Sequence, residues 1–201
     1  GVLALMLAQR SHAELIDAIE IDDNAYEQCV ENFEQSPWSD RLFCYHASLE
    51  EFTDEIEDKY DLIISNPPFY SEDYKSENNQ RDLARFVDAM PFEHLLESVS
   101  KLLAEDGIFS VIIPFKEETS FIALASQMSL FVNKKLHLKG TPTSDIKRSL
   151  LEFSFHFQIS DRDLLQNVVV KLLLYSDAGN NGGAKFCFYR LIMGLRIFCL
   201  G

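Results

Sequence analysis

The feature that most constrains this chain is a repeated alternation of short, nearly continuous apolar runs with amphipathic helical stretches. Residues 13–21, 42–46, 60–65 and 108–113 are runs of strand length with few charges. A strand that is apolar on both faces must be covered on both faces. Helices inserted between parallel strands supply that cover, so the pattern predicts a doubly wound α/β sheet. Residues 1–10 read as a helix opening directly after a glycine. Asp22 or Asp23 can N-cap the helix after the first run, with Ala25, Cys29, Val30 and Phe33 on its apolar face and Ser36-Pro37-Trp38 as its stop. Residues 71–80 read as a loop, 82–103 as a long helix interrupted near Pro91, Asp106-Gly107 as a turn and 117–128 as a helix. The runs 130–138 and 149–157 flank a loop at 140–142 and suit an antiparallel strand pair.

Composition narrows the function classes. At 201 residues, 47% hydrophobic and 25% charged, the chain is neither disordered, collagenous nor a coiled coil. Its net charge of -14 argues against gripping nucleic acid by bulk charge. That charge is uneven: residues 161–201 hold three acids and five bases, which leaves the first 160 residues at -16. Cys29, Cys44, Cys187 and Cys199 form neither a CxxC pair nor a cluster with histidine, so they read as reduced thiols of a cytoplasmic protein, and no metal site is expected. The apolar stretches 1–8 and 186–200 are too short to span a membrane.

Two places carry chemistry. Glu20 ends a strand about 20 residues after a glycine that opens a helix, where a carboxylate can take both ribose hydroxyls of a nucleotide-like cofactor. A solvated acid at a strand end is the ordinary alternative. The second place is Asn66-Pro67-Pro68-Phe69, directly after the run 60–65. Two prolines fix the backbone and donate no hydrogen bond, leaving a rigid set of acceptors. The Asn66 side-chain oxygen and the Pro67 carbonyl can each accept one hydrogen of an exocyclic amine, turning its lone pair toward an electrophile. Phe69 offers a stacking face for the flat group bearing the amine, typically worth about 1–3 kcal/mol. The alternative is an Asn-Pro turn that merely closes a strand.

The segment from Tyr60 through Tyr70 resembles the catalytic stretch of S-adenosylmethionine-dependent amino-group methyltransferases. More narrowly, it resembles the bacterial tRNA1(Val) adenine-37-N6 methyltransferases. Residues 3–10, the Gln35-Ser36-Pro37-Trp38 stretch, Arg81-Asp82-Leu83-Ala84-Arg85-Phe86 and residues 147–153 carry the narrower likeness, which covers residues 1–157. The resemblance implies a class I methyltransferase domain over 1–157, with a Rossmann-like sheet and a C-terminal antiparallel strand pair. It implies that Gly1 is the last glycine of the cofactor loop. It also implies that Glu20 and Ile21 border the ribose of S-adenosylmethionine and that Ser48 and Leu49 border its adenine. Many relatives have Asp where Ser48 stands, which leaves no carboxylate there for the adenine amino group. Asn66, Pro67, Pro68 and Phe69 would hold the target amine, with Asn66 also touching the cofactor. Phe69, Tyr70, Arg81, Arg85, Lys147 and Arg148 would meet a valine tRNA, with Lys134, Lys135 and Lys139 as further phosphate contacts. A cytoplasmic monomer is the expected form.

Two departures from the family pattern bear on the fold. The family's first strand and glycine loop would precede residue 1, and that strand is central in the family's sheet, between the strands ending at Glu20 and Asn66. The expectation is therefore that these two strands lack their shared neighbour. Residues 158–201 do not resemble the family's ending and read as a frameshifted or divergent tail. Two other readings stand beside the tRNA enzyme. One is an amino-group methyltransferase acting on rRNA guanine-N2 or on a release-factor glutamine, and the other is an inactive, non-enzymatic fragment.

Overall fold

The structure, a computed structural model, describes residues 1–67, 92–156, 166–169 and 196–200. Its elements run α1 (Val2–Arg10), β1 (Leu15–Glu20), α2 (Asp23–Glu34), β2 (Leu42–His46), α3 (Leu49–Glu55), β3 (Tyr60–Ser65), α4 (Phe92–Leu102), β4 (Leu103–Pro114), a 3-10 turn (Phe115–Glu117), α5 (Glu118–Gln127), β5 (Phe131–Lys139), β6 (Ile146–Ser154), β7 (Gln166–Val169) and β8 (Arg196–Leu200). The eight strands form one sheet in the order β2-β1-β8-β3-β4-β6-β5-β7. From β2 to β4 every pairing is parallel; β6 runs antiparallel to both β4 and β5. The doubly wound sheet and the antiparallel pair expected from the sequence are both present.

One expectation is overturned. β1 and β3 do share a neighbour, and it comes from the far end of the chain: β8 pairs in parallel with Leu15–Ile19 on one side and Leu62–Ser65 on the other. The physical reason is the pattern Arg196-Ile-Phe-Cys-Leu, which suits a strand buried on both faces. Ile197 and Cys199 join the core beneath α1 and α2, with Ala4, Ala8, Cys29 and Phe33. Phe198 and Leu200 join the opposite core beneath α3, α4 and α5, with Phe52, Leu95, Leu96 and Phe121. Phe198 is fully buried and stacks on Phe52, with ring centroids 4.7 Å apart and planes 6° apart. Burying a side chain of this size stabilises by about 1.5–3 kcal/mol.

Other departures are smaller. α3 is missing from the reading of the sequence, although Ser48 and Glu51 form a complete capping box at its start. The Asp106-Gly107 turn lies inside β4, where the register jumps from Tyr60↔Leu103 to Leu62↔Ile108, so the extra residues bulge out of the ladder. A Cβ at Gly107 would sit 2.8 Å from Leu103 Cδ1 and 2.9 Å from the Ala104 carbonyl oxygen, so that bulge needs glycine. Of the helix expected over 82–103, Phe92–Leu102 lies within the described residues.

Candidate functional site

The site is built where the strand order diverges on either side of β8, at the carboxyl ends of the parallel strands. Open α/β sheets bind ligands in that crevice. A cavity of about 260 Å³ lies there between the start of α1 and the end of β1, lined by Gly1, Val2, Leu3, Glu20, Cys29 and Cys199 among others. Its size is slightly below the roughly 300–1,000 Å³ of whole small-molecule pockets, so the described walls enclose part of a nucleotide-sized group.

Each wall has a local cause. At Gly1 a Cβ would stand 2.6 Å from Cys29 Sγ and 3.0 Å from Phe33 Cε1, so only glycine lets the start of α1 approach α2 this closely. The first N–H groups of α1 have no helical acceptor and remain available to a ligand. Glu20 Oε1 accepts from the backbone N–H of Ile21 at 3.0 Å and of Asp22 at 3.1 Å. The carboxylate is thereby fixed in orientation, and among the described residues nothing engages Oε2. Asp22 caps α2 by accepting from the Ala25 N–H at 2.9 Å.

Ile21 is exposed, and its carbonyl lies 3.1 Å from His46 Nε2. Ser48 is the N-cap of α3. Its hydroxyl accepts from the Glu51 N–H and donates to Glu51 Oε2 at 2.8 Å, so the side chain is committed to the cap of α3. The Ser48 backbone N–H, which donates to Glu51 Oε2 at 2.9 Å, and then the Ser48 hydroxyl hold the Glu51 carboxyl below its ordinary range. Leu49 is buried in the core.

Asn66 lies just past β3 with its side chain exposed, while Pro67 is buried. The Asn66 backbone N–H donates to the Leu200 carbonyl at 3.1 Å, which ties the end of β3 to β8. Pro68, Phe69, Tyr70, Arg81 and Arg85 lie outside the described residues. Lys147 and Arg148 are exposed on β6. Two lysines of the same basic stretch are engaged by acids: Lys134 Nζ meets Glu152 at 2.8 Å and Lys135 Nζ meets Glu118 at 3.5 Å.

Three features escaped the sequence reading. Cys199 walls the cavity from β8, a strand the sequence pattern did not place. Arg41 reaches back to the end of α1, donating to the carbonyls of Ala8, Ser11 and Ala13 at 2.6, 3.2 and 2.7 Å. Beneath the site Tyr60 donates to the buried Asp17 Oδ2 at 2.6 Å. Only Arg41 had a signal, as the lone cation between a helix stop and a strand.

The thiols of Cys29, Cys44 and Cys199 are free. A hydrogen bond from Cys44 draws Cys29 down to about 6, and the same bond, with burial, raises Cys44. Burial pushes Cys199 up to about 12. Among the described residues no cluster suits a metal ion, and no helix is long and apolar enough to cross a membrane.

A doubly wound sheet with a glycine-started helix, a strand-end carboxylate and a cavity at the switch point defines a nucleotide-type cofactor-binding domain of the methyltransferase kind. Residues 1–114 match the family described as methyltransferase small domain. The chain is 66% identical over 154 residues to a tRNA1(Val) (adenine(37)-N6)-methyltransferase of Flavobacterium johnsoniae, covering 77% of this chain and 66% of that protein. Proteins of the same description from Flavobacterium psychrophilum and Christiangramia forsetii are 61% and 59% identical, over 82% and 77% of this chain and 70% and 65% of their own lengths. The chain belongs to the methyltransferase small-domain family and, within it, to the tRNA1(Val) (adenine(37)-N6)-methyltransferases. It spans about two thirds of the length of these relatives. Among solved structures, a methyltransferase from Pyrococcus furiosus is 18% identical over 76% of this chain and 81% of its own, with a TM-score of 0.49. A ribosomal protein L11 methylase from Lactobacillus delbrueckii subsp. bulgaricus is 16% identical over 77% and 65%, also with a TM-score of 0.49.

Proposed function

We propose that this chain carries the catalytic site of a cytoplasmic enzyme that methylates the N6 amino group of an adenine in tRNA, adenosine 37 of a valine tRNA, with S-adenosylmethionine as the donor. The observation that carries the reading is the juxtaposition at β8. The Asn66 segment is pinned to the end of β8, and Cys199 of the same strand walls the cavity that Gly1 and Glu20 also line.

The residues present fit such a donor. Gly1 lets the start of α1 close against Cys29 and Phe33 and lines the cavity beside Glu20, whose Oε1 is held by two backbone N–H groups while, among the described residues, nothing engages Oε2. When bound, S-adenosylmethionine supplies an electrophilic methyl group on a sulfonium. Glu20 would hold its ribose through Oε2, and Gly1 with the first N–H groups of α1 would receive its polar end. Asn66 Oδ1 and the Pro67 carbonyl would accept the two hydrogens of the adenine amine and aim its lone pair. The amine gives up a proton readily once alkylated, so no strong base is required of the protein. Phe69 would stack on the base, which must leave the anticodon-loop stack to reach the site. The protein's work is then positioning and exclusion of water.

The test is transfer of labelled methyl from S-adenosylmethionine to a purified valine tRNA and to the same tRNA with guanosine at position 37. Incorporation into the first and not the second is expected. Equal incorporation into both, or labelling of a release factor or rRNA instead, would overturn the substrate.

A further inference from the structure

We propose that the strand Arg196–Leu200 is a working part of the cofactor site, so that the site is assembled from the two far-separated ends of this sequence. The inference rests on the cofactor reading above and goes beyond it, because the resemblance assigns the central strand to sequence upstream of residue 1.

Three independent observations support it. The first is register. Cys199 lies opposite Ala18 on β1 and Ile64 on β3, so the strand spans the divide between the cofactor and the amine halves of the site. The second is that its carboxyl end meets both halves: Cys199 walls the cavity beside Gly1, while the Leu200 carbonyl accepts the Asn66 N–H at 3.1 Å. The third is an anchor at its amino end. Arg196 Nη1 pairs with Asp58 Oδ2 at 2.6 Å, and the Arg196 backbone N–H donates to Asp61 Oδ2 at 2.9 Å. Held at one end and hydrogen-bonded along both edges, the strand fixes how far Asn66 stands from the cavity.

The test uses the full 201-residue chain and does not depend on turnover. In the native protein, alkylation of Cys199 by iodoacetamide, followed by peptide mass spectrometry, should run at least about 100-fold slower than in urea, since a thiol in a central strand reacts only on opening of the sheet. A native rate within about 10-fold of the urea rate would overturn the strand's placement. The second arm is binding of S-adenosylmethionine by calorimetry. Cys199→Leu pushes bulk into the cavity and should weaken the cofactor by at least about 10-fold. Ile197→Val, one pleat away on the same face but outside the cavity lining, should lower Tm and leave Kd unchanged. A strand that is merely structural would move Kd only as far as it moves Tm, so an unchanged Kd for Cys199→Leu would overturn the proposal. If Cys199 is protected but the wild-type chain binds no S-adenosylmethionine, the cofactor reading falls, and the strand's role in binding with it, while its place in the sheet stands.

Discussion

Asp17 is 3% exposed in the middle of β1, and among the described residues only one of its two carboxyl oxygens has a hydrogen-bond partner. Burial raises its pKa, with the hydroxyl of Tyr60 and the charge of Arg196 pulling the other way. An acid that binds its proton more tightly when folded stabilises the fold fully below its unfolded value, and that stabilisation is lost as pH rises through the folded value. Asp17→Asn removes the charge and keeps an acceptor for Tyr60. Its stability relative to wild type should therefore rise between pH 4.5 and pH 8, by about 1–3 kcal/mol, the cost typical of an unsatisfied buried polar atom. Paired denaturant titrations at the two pH values check this, and a difference that ignores pH would count against it. At the mouth of the site the expectation is separable in another way. Asn66→Ala should abolish methyl transfer while calorimetry finds cofactor binding retained, because the backbone N–H to Leu200 survives the substitution. Substantial residual transfer would remove Asn66 from the role given to it.

At the scale of elements, the joint between α5 and the β5–β6 hairpin depends on Glu118. Its Oε2 meets His137 Nε2 at 2.7 Å and accepts from Ser149 Oγ at 2.5 Å, while Oε1 faces Lys135. Burial by itself would raise this carboxyl, but the bonds from Ser149 and His137 and the charges of His137 and Lys135 bring it below its ordinary range. A carboxyl lowered in the folded state contributes stability that is present above the unfolded value near 4.3 and lost as pH falls through the folded one. Glu118→Gln should thus cost about 1–3 kcal/mol at pH 7 and much less near pH 3, read from urea midpoints. Nothing in the sequence marked this joint, since its members are 19 and 31 residues apart and meet only when the hairpin closes. The neighbouring elements show why other parts were legible. β1, β3 and β4 announced themselves because continuous apolar runs have few alternatives in a chain of this charge. α3, at 7 residues, was too short for periodicity, and only its capping box would have found it. Asn66 and Glu20 stood out as candidates because each sits at the carboxyl end of a legible strand. Cys199 was not, because its strand belongs to a segment whose composition departs from the rest.

For the whole molecule, the proposed function raises the question of how a chain of net charge -14 would hold a polyanion. The structure sharpens the answer by removing candidates. Lys134 and Lys135 spend their charge on Glu152 and Glu118, so the basic stretch contributes less field than its composition suggests. Lys147 and Arg148 stand exposed on β6, with Arg148 opposite Pro114 at the end of β4, the same edge of the sheet toward which β3 delivers Asn66. Cations placed in this way would position an RNA without reading its sequence, whereas in the proposed function the adenine would be selected in the crevice. Reversing both charges in Lys147→Glu/Arg148→Glu should weaken binding to valine tRNA and to other tRNAs alike. It should also lower the slope of log K against log salt by about 2, one for each phosphate left without its cation. At saturating tRNA the methylation rate should be close to that of the wild type, because neither residue touches the amine or the cavity. Fluorescence titration at several salt concentrations measures the slope. A slope equal to the wild type's would move the RNA-binding surface elsewhere on the molecule, and weakening confined to tRNAs bearing adenosine 37 would mean that these two residues read the base and not the backbone.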